Sequence, residues 1–299
     1  IEWTGSELNE TVTITADSSG MITLYSGTQP MGQGIATSYL QIFSEQLQIP
    51  VNQLQVVQGD TDLVEGHGSV GSRSLFVGGN AILRGIEDFL EECKQLAASE
   101  LEASVEDLEY HQGNFQVKGT RVGIGIFDLC SRQSENSISV KRKKELTGRS
   151  WPNGCHVAEV EIDAETGEVR LDRYVSVDDV GNTVNPMIVH GQVQGGIASG
   201  LGQAVLERTE YDASGQLLSG SFMDYALPRA DDMPSLSGSL FEKAPCLTNP
   251  LGAKGTGEIG AVAGPPAIVH AVIDALAEKG ITQVDMPLQP QKIWECLNR

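Results

Sequence analysis

The chain has 299 residues, enough for one large or two ordinary domains with a buried core. Its 40% hydrophobic and 20% charged residues are typical of a globular protein, and its net charge of −20 disfavours nucleic acid and anionic membranes as partners. Five scattered cysteines without a C-x-x-C pair indicate a reducing compartment, and we expect the cytoplasm. The cysteine and histidine spacings also argue against a metal site built from side chains.

The first predicted element is a β-hairpin over 11–27, where apolar and polar residues alternate around a polar turn. A loop over 28–34 follows and leads into a helix predicted over 35–47. The apolar positions of this helix recur every four residues: Ile35, Tyr39, Phe43 and Leu47.

Residues 47–60 and 101–114 resemble each other at an offset of 54 positions. Each segment follows an amphipathic helix, the second of which is predicted over 80–103, and each ends in a short strand. This pattern indicates an internal duplication of a helix–turn–strand unit. Chance similarity is the alternative.

Two loops of the first half have distinctive compositions. Residues 65–74 are rich in Gly and Ser around a lone Arg73, so they form either a set of donors for an oxyanion or a flexible surface loop. Residues 131–150 are polar, non-periodic and basic at Lys141–Lys144. We expect a solvated linker there, with a targeting or nucleic-acid segment as the alternative.

The second half repeats the order of the first. A hairpin is predicted over 157–177, a turn cluster follows, and a helix opens near Gly191–Gln192 and runs to about residue 206. Gly32–Gln33 occupies the same place before the first helix. Each glutamine amide is suited either to a heteroaromatic ring edge or to capping its own loop. Strands over 216–228 and 236–242 and a helix over 290–297 are also predicted.

The stretch Asn249–Leu276 places several glycines around a single carboxylate, Glu258. The pair Pro265–Pro266 is expected to open a helix over 267–279. Residues 255–260 match the G-x-G-x-x-G dinucleotide fingerprint, which requires a preceding strand and an immediate helix. The sequence predicts neither, so an NAD-type oxidoreductase is retained only as an alternative.

Five motifs together are similar to one family across nearly the whole chain. They are PMGQG (30–34), VGSRS (70–74), DDVGNTVNP…HGQVQGGIASGLGQ (178–203), DYALPRA (224–230) and NPLGAKGTGEIG (249–260). The chain resembles the second molybdenum-cofactor-binding domain of the xanthine dehydrogenase/aldehyde oxidase family. Its likeness is greatest to carbon-monoxide-dehydrogenase-like large subunits.

The resemblance implies a molybdenum hydroxylase that oxidises an aldehyde, an N-heterocycle or a similar carbon with water as the oxygen source. It implies molybdopterin, in the cytosine dinucleotide form, with no protein side chain on the metal. Glu258 matches the family's base, which takes a proton from a hydroxyl on molybdenum. Lys254 is either a supporting residue or a surface residue. The residues that match the cofactor contacts are Met31, Gly32, Gln33, Gly71, Ser72, Arg73, Ser74, Gln192 and Gly257.

The same resemblance implies partners. The family's first cofactor-binding domain, its Fe–S centres and its FAD domain have no match in this sequence, so we expect them on other segments or on small and medium subunits. The chain would then be a truncated piece or a split subunit, inactive alone, and a second copy is a further candidate partner. A non-catalytic module for cofactor storage or insertion is the alternative function.

The expected fold is α+β with two similar, internally duplicated lobes of small mixed sheets and helices. Lobe one covers about 1–130, a linker 131–150 and lobe two 151–299. The cofactor is expected in the cleft between the lobes.

Overall fold

A computed structural model describes residues 1–298 and has two lobes, each built on small sheets with helices, as the sequence predicts. The elements of the first lobe are β1 (Asn9–Asp17), β2 (Ile22–Ser26), α1 (Ile35–Leu47), β3 (Leu54–Gln58), α2 (Asn80–Glu100), β4 (Leu108–His111), β5 (Asn114–Val117), β6 (Gly123–Gly125), α3 (Ile126–Ser131) and β7 (Ser137–Glu145).

The main sheet of the first lobe has the strand order β3-β2-β1-β7. β1 and β2 form the predicted antiparallel hairpin, and β3 joins β2 in parallel after the crossover helix α1. Every second residue of β1 is buried, which places Val12, Ile14 and Ala16 in one core with the buried faces of α1 and α2.

The two copies of the predicted repeat adopt the same local backbone. Each helix is followed by a left-handed residue, Gln48 (φ 53°) or Glu102 (φ 48°), and then by a 3₁₀ turn and a short strand. The strands pair differently, because β3 joins the main sheet whereas β4 joins β5 and β6 in a separate sheet. The repeated sequence therefore sets the turn, and long-range packing sets the pairing.

The predicted linker over 131–150 is wrong in its central part. β7 occupies 137–145 and pairs antiparallel with β1 over the whole length of β1. The basic run Lys141–Lys144 lies in this strand, and Arg142 forms an ion pair with Asp88 of α2 at 3.0 Å. Charged residues suit a strand at the edge of a sheet, because they discourage pairing with another chain.

The second lobe repeats the hairpin–helix–strand unit. Its elements are β8 (Asn153–Ile162), β9 (Val169–Asp179), α4 (Pro186–Leu201), β10 (Leu236–Leu240), α5 (Ile259–Ala275) and α6 (Pro290–Leu297). β8 and β9 form the predicted hairpin, and β10 joins β9 in parallel, which gives the order β10-β9-β8. Within residues 1–298, no helix combines the length and apolar character needed to cross a membrane.

Three predictions for the second lobe are wrong. α4 begins at Pro186, so Gln192 lies in its second turn rather than before it. α5 begins at Ile259, directly after Glu258, and contains the proline pair that was expected to open it. The segment 216–228 forms no strand and makes only an isolated bridge at Leu217.

α4 and α5 cross at a contact made by glycines. Each helix contributes two glycines four residues apart: Gly196 and Gly200, and Gly260 and Gly264. A Cβ built on Gly196 would lie 2.7 Å from the backbone nitrogen of Ala261. Only glycine allows this approach, and it brings the start of α5 beside the third and fourth turns of α4.

Candidate functional site

A cavity of about 190 Å³ lies between the two lobes, where the cofactor cleft was expected. Lobe one contributes the loop before α1 and the loop before α2, and lobe two contributes the start of α4 and the loop before α5. Most of the predicted site residues line it, namely Met31, Gln33, Gly71, Ser72, Ser74, Gln192, Gly257 and Glu258. Gly32 and Arg73 do not.

Four helix starts meet at this cavity. Its lining includes Ile35 at the start of α1, Ser74 at the start of the π-helical turn that leads into α2, Asn185 before α4 and Glu258 before α5. Only α4 has a side-chain cap, because Asn185 accepts a hydrogen bond from the backbone of Ile188 at 3.1 Å. The other starts have N–H groups that no side chain caps, and helix starts favour anions.

The loop over 28–34 is held by Gln33. The side-chain oxygen of Gln33 accepts a hydrogen bond from the Met31 N–H at 2.6 Å, and its amide nitrogen donates to the Gln29 carbonyl at 2.9 Å. Of the two roles that the sequence left open for this glutamine, capping its own loop is the one observed. Met31 remains exposed at the cavity.

The loop before α2 is tied to the loop over 28–34 rather than being a free surface loop. The Ser69 hydroxyl donates to the Gln29 carbonyl at 2.7 Å, and Ser74 donates to Ser69 at 2.7 Å. Ser72 has a left-handed backbone with φ of 53°. Its hydroxyl is buried and has no hydrogen-bond partner within residues 1–298.

The expected contact between the Arg73 side chain and the cofactor requires correction. The guanidinium is fully buried, forms an ion pair with Glu10 of β1 at 2.8 Å and donates to the carbonyls of Glu7 and Gly68. It therefore points away from the cavity. Arg73 holds the loop over 68–74 against β1, and the sequence could not distinguish this role from phosphate binding.

Glu258 lies at the end of a glycine-rich loop that packs against Ser72. A Cβ on Gly255 would lie 2.5 Å from the Ser72 carbonyl oxygen, and one on Gly257 would lie 3.1 Å from its hydroxyl. The loop is anchored by Lys254, whose buried ammonium contacts Asp179 at 2.6 Å, so the surface role considered for Lys254 is wrong. The glycines thus bring Glu258 beside the loop before α2, where it is exposed to the cavity.

The chemistry of the lining is neutral apart from one carboxylate. Within residues 1–298, Glu258 is the one ionisable side chain on the lining, and no Lys or Arg joins it. An anion would therefore be held by backbone N–H groups, serine hydroxyls and amides. The described residues contain no group of three or more His, Cys, Asp or Glu placed to hold a metal ion. This donor set fits a cofactor whose phosphates lie at helix starts and whose metal takes no protein ligand.

The NAD-type alternative is contradicted. α5 does begin within the fingerprint, at Ile259, but within residues 1–298 no strand directly precedes Gly255. The residues before it form a single bridge, Gly181 to Ala253, and the last strand ends at Leu240. The fingerprint requires a strand at that place.

Comparison with known proteins agrees with the fold. Residues 2–234 match a family described as molybdopterin cofactor-binding domain, and the chain belongs to that family. It is 34% identical to the 6-hydroxypseudooxynicotine dehydrogenase complex subunit gamma of Paenarthrobacter nicotinovorans, over 97% of this chain and 38% of that protein.

Two solved structures are similar over almost the whole chain. Quinoline 2-oxidoreductase from Pseudomonas putida 86 has a TM-score of 0.88 at 30% identity, covering 100% of this chain and 41% of that one. Reconstituted CO dehydrogenase from Oligotropha carboxidovorans has a TM-score of 0.86 at 30% identity, covering 96% and 37%. The chain thus spans well under half of the length of each of these relatives. The resemblance stated from the motifs is confirmed.

Sequence reasoning missed the meeting of the four helix starts. One of them had a signal, because Asn185–Pro186 combines a preferred cap residue with proline in the first turn. The start of α5 had no such signal. Its position depends on the crossing with α4, which brings together segments far apart in sequence.

Proposed function

We propose that this chain is the part of a molybdenum hydroxylase large subunit that binds molybdopterin dinucleotide and supplies the base for hydroxylation. The observation that carries the proposal is the single carboxylate of Glu258 in a cavity where four helix starts meet. Membership of the molybdopterin cofactor-binding family supports the cofactor assignment.

The binding residues would act through neutral donors. The uncapped starts of α1, the π-helical turn and α5 favour phosphate oxygens, which supports a dinucleotide form such as the cytosine dinucleotide. The loop held by Gln33 would present Met31 to the pterin, whereas Gly32 lies outside the cavity lining. Gln192 reaches the cavity from the second turn of α4 and is free to orient a polar group with its amide.

Glu258 would hold and move the proton. When bound, the molybdenum cofactor supplies the two-electron oxidation and the activation of water. The carboxylate of Glu258 accepts the proton that the activated water must lose, and general bases of this kind contribute about 10²–10⁴-fold in rate. A base held on a glycine loop approaches closely without filling the space that the substrate needs.

The substrate class we propose is an N-heterocycle or a related carbon such as an aldehyde. Support comes from the relatives named as acting on 6-hydroxypseudooxynicotine, nicotine and quinoline. Relatives are named as a complex subunit, a large subunit and a large chain. We therefore expect the rest of the large subunit, an Fe–S subunit and an FAD subunit as partners. The free cysteines suit the cytoplasm.

The test is the complete assembly that contains this chain, prepared with Glu258→Gln and with the control Glu278→Gln, which alters an exposed glutamate outside the cavity. We expect both variants to retain their molybdenum, and the amount of nucleotide released from the cofactor should be unchanged. Turnover should fall by about 10² or more only in Glu258→Gln, with little change in KM.

Two other outcomes have definite meanings. An intact assembly without molybdenum refutes the cofactor assignment. If Glu258→Gln leaves both the molybdenum content and the turnover unchanged, Glu258 is not the base. That result favours the storage or insertion module, for which the exposure of Glu258 and Met31 leaves an open route to the cavity.

A further inference from the structure

Two segments from different lobes contact each other beside the cavity. Residues 72–80 of lobe one contain the π-helical turn and the start of α2, and residues 249–257 of lobe two lead directly to Glu258. The first contact is the close approach of Gly255 to the backbone of Ser72. The second contact lies at the other end of both segments and consists of hydrogen bonds. The loop that leads to Glu258 is therefore attached to lobe one at both of its ends.

The second contact is made by two buried asparagines, Asn80 and Asn249, which are 2% and 7% exposed. The side-chain nitrogen of Asn80 donates to the side-chain oxygen of Asn249 at 3.1 Å, and the side-chain oxygen of Asn80 accepts from the Leu251 N–H at 3.0 Å. Asn80 also donates to the Phe76 carbonyl at 2.6 Å, and Asn249 donates to the Ala253 carbonyl at 3.1 Å. Each side chain both donates and accepts, which an amide can do and a carboxylate or an aliphatic group cannot.

The asparagine pair and the glycine contact have different effects on the loop. Glycine permits two backbones to approach but does not favour one alignment, because it has no side chain. A hydrogen bond requires its donor and acceptor to meet within a narrow range of distance and angle. A shifted alignment would leave buried amide groups without partners, which is costly. The asparagine pair therefore sets where residues 249–257 lie along residues 72–80.

Glu258 depends on the backbone on either side of it, because its carboxylate does not cap α5. On its C-terminal side, α5 is fixed by the crossing with α4 inside lobe two. On its N-terminal side, the ion pair of Lys254 with Asp179 also lies inside lobe two. The asparagine pair adds a support from lobe one, whose loop over 68–74 contributes to the cavity. It thus relates the position of Glu258 to the half of the cavity that lobe one forms.

We propose that Asn80 and Asn249 are positioning residues, which hold the carboxylate of Glu258 at a fixed distance from a ligand bound by lobe one. The proposal rests on the proposed function, because Glu258 is the base named there. Neither asparagine is among the lining residues of the cavity, so both act through the loop rather than on the reacting atoms. A displacement of about 1 Å at a reacting group can lower a rate by about 10²-fold.

The first test measures the loop itself and needs no turnover. In the full-length protein that contains this chain, hydrogen exchange over residues 249–258 should be faster by about tenfold or more in Asn80→Ala, because the Leu251 N–H loses its acceptor. The matched control is Gln41→Ala, which removes another hydrogen bond between the lobes, donated by Asn185 to Gln41 at 2.8 Å on the exposed side. The control should leave this exchange unchanged. Unchanged exchange in Asn80→Ala, or equal acceleration in Gln41→Ala, overturns the proposal.

The second test is kinetic and uses the cofactor-loaded assembly. Asn80→Ala and Asn249→Ala should each lower kcat by about 10–10²-fold, with KM and molybdenum content unchanged. Asn249→Asp keeps the oxygen to which Asn80 donates, so it should restore part of the rate. Gln41→Ala should leave kcat unchanged. If Asn80→Ala does not fold, Asn249→Ala serves for both tests, because it also removes the bond between the two side chains.

A third measurement separates positioning from a merely structural role. If the asparagines act through Glu258, Asn249→Ala should lower kcat no further when it is added to Glu258→Gln. A structural role predicts a lower midpoint of urea unfolding with an unchanged kcat of the folded enzyme, or the same fold-loss of kcat with either Glu or Gln at position 258. Either of these results shows that the asparagines do not position the base.

The two proposals fail in different ways. If Glu258→Gln abolishes turnover while Asn80→Ala and Asn249→Ala leave kcat unchanged, the positioning role is wrong and the base stands. If Glu258→Gln leaves turnover intact, the proposed function itself fails.

Discussion

The close crossing of α4 and α5 can be tested with two variants, because one of two adjacent glycines of α4 packs against α5 and the other has free space around it. A Cβ on Gly196 would lie 2.7 Å from the Ala261 nitrogen and 2.8 Å from the Gly260 Cα. A Cβ on Gly195 would have nothing within 4 Å. Gly196→Ala and Gly195→Ala are therefore a matched pair of variants with the same chemical change in the same helix.

The expected magnitude follows from two effects. Replacing Gly by Ala inside a helix stabilises it by about 0.5–1 kcal/mol, and both variants gain this. Only Gly196→Ala overpacks, and the atoms it meets belong to backbone, so no side-chain rotation relieves the contact. Overpacking costs about 1–3 kcal/mol, and this cost should separate the free energies of unfolding of the two variants.

The assay is urea unfolding of the full-length protein. With an m-value of about 3 kcal/mol/M, the midpoints of the two variants should differ by on the order of 0.3–1 M, with Gly195→Ala the higher. Equal midpoints, or a higher midpoint for Gly196→Ala, would refute the close crossing. Gly196→Ala should also lower turnover of the loaded assembly, because it displaces the start of α5 and with it Glu258.

Three further predictions concern polar side chains. Arg73→Ala leaves the carboxylate of Glu10 buried without its counterion, so it should lower the free energy of unfolding by about 3–5 kcal/mol. The control Arg132→Ala removes an exposed ion pair and should lower it by about 0–1 kcal/mol in the same denaturation assay. Burial raises the folded-state pKa of Glu2, so the folded state binds its proton more tightly, and stability should fall as pH rises from the unfolded pKa of this group through its folded pKa. Glu2→Gln should remove this pH dependence in melting experiments, and a wild-type slope in the variant would contradict the assignment. Gln33→Leu removes both hydrogen bonds that hold the loop over 28–34, so the cofactor content, measured as molybdenum per chain, should fall. The midpoint of urea unfolding should change little. An unchanged molybdenum content would argue against a binding role for the loop.

Much of the first lobe could be predicted from the sequence. The helix expected over 35–47 has those bounds in the structure, because its apolar residues recur at a spacing that only one buried face explains. The two hairpins, one in each lobe, are also predicted correctly, because apolar and polar residues alternate along their strands with a period of two. Most of the site residues that the resemblance predicts line one cavity.

What the sequence could not give depends on contacts between distant segments. β7 lacks apolar alternation over its basic half and is a strand because β1 offers its edge. α5 begins before its prolines because its glycines pack on α4. Arg73 looked like a phosphate ligand because nothing in the sequence places Glu10 beside it.

The helix starts around the cavity have a consequence for how the two lobes are held together. They carry positive partial charges, so an anion bound between them is favoured. An anionic ligand therefore joins the two lobes as well as occupying the space between them, and its binding stabilises the whole chain by mass action. Met31 and Glu258 are both exposed, which leaves such a ligand a route from solvent into the cavity.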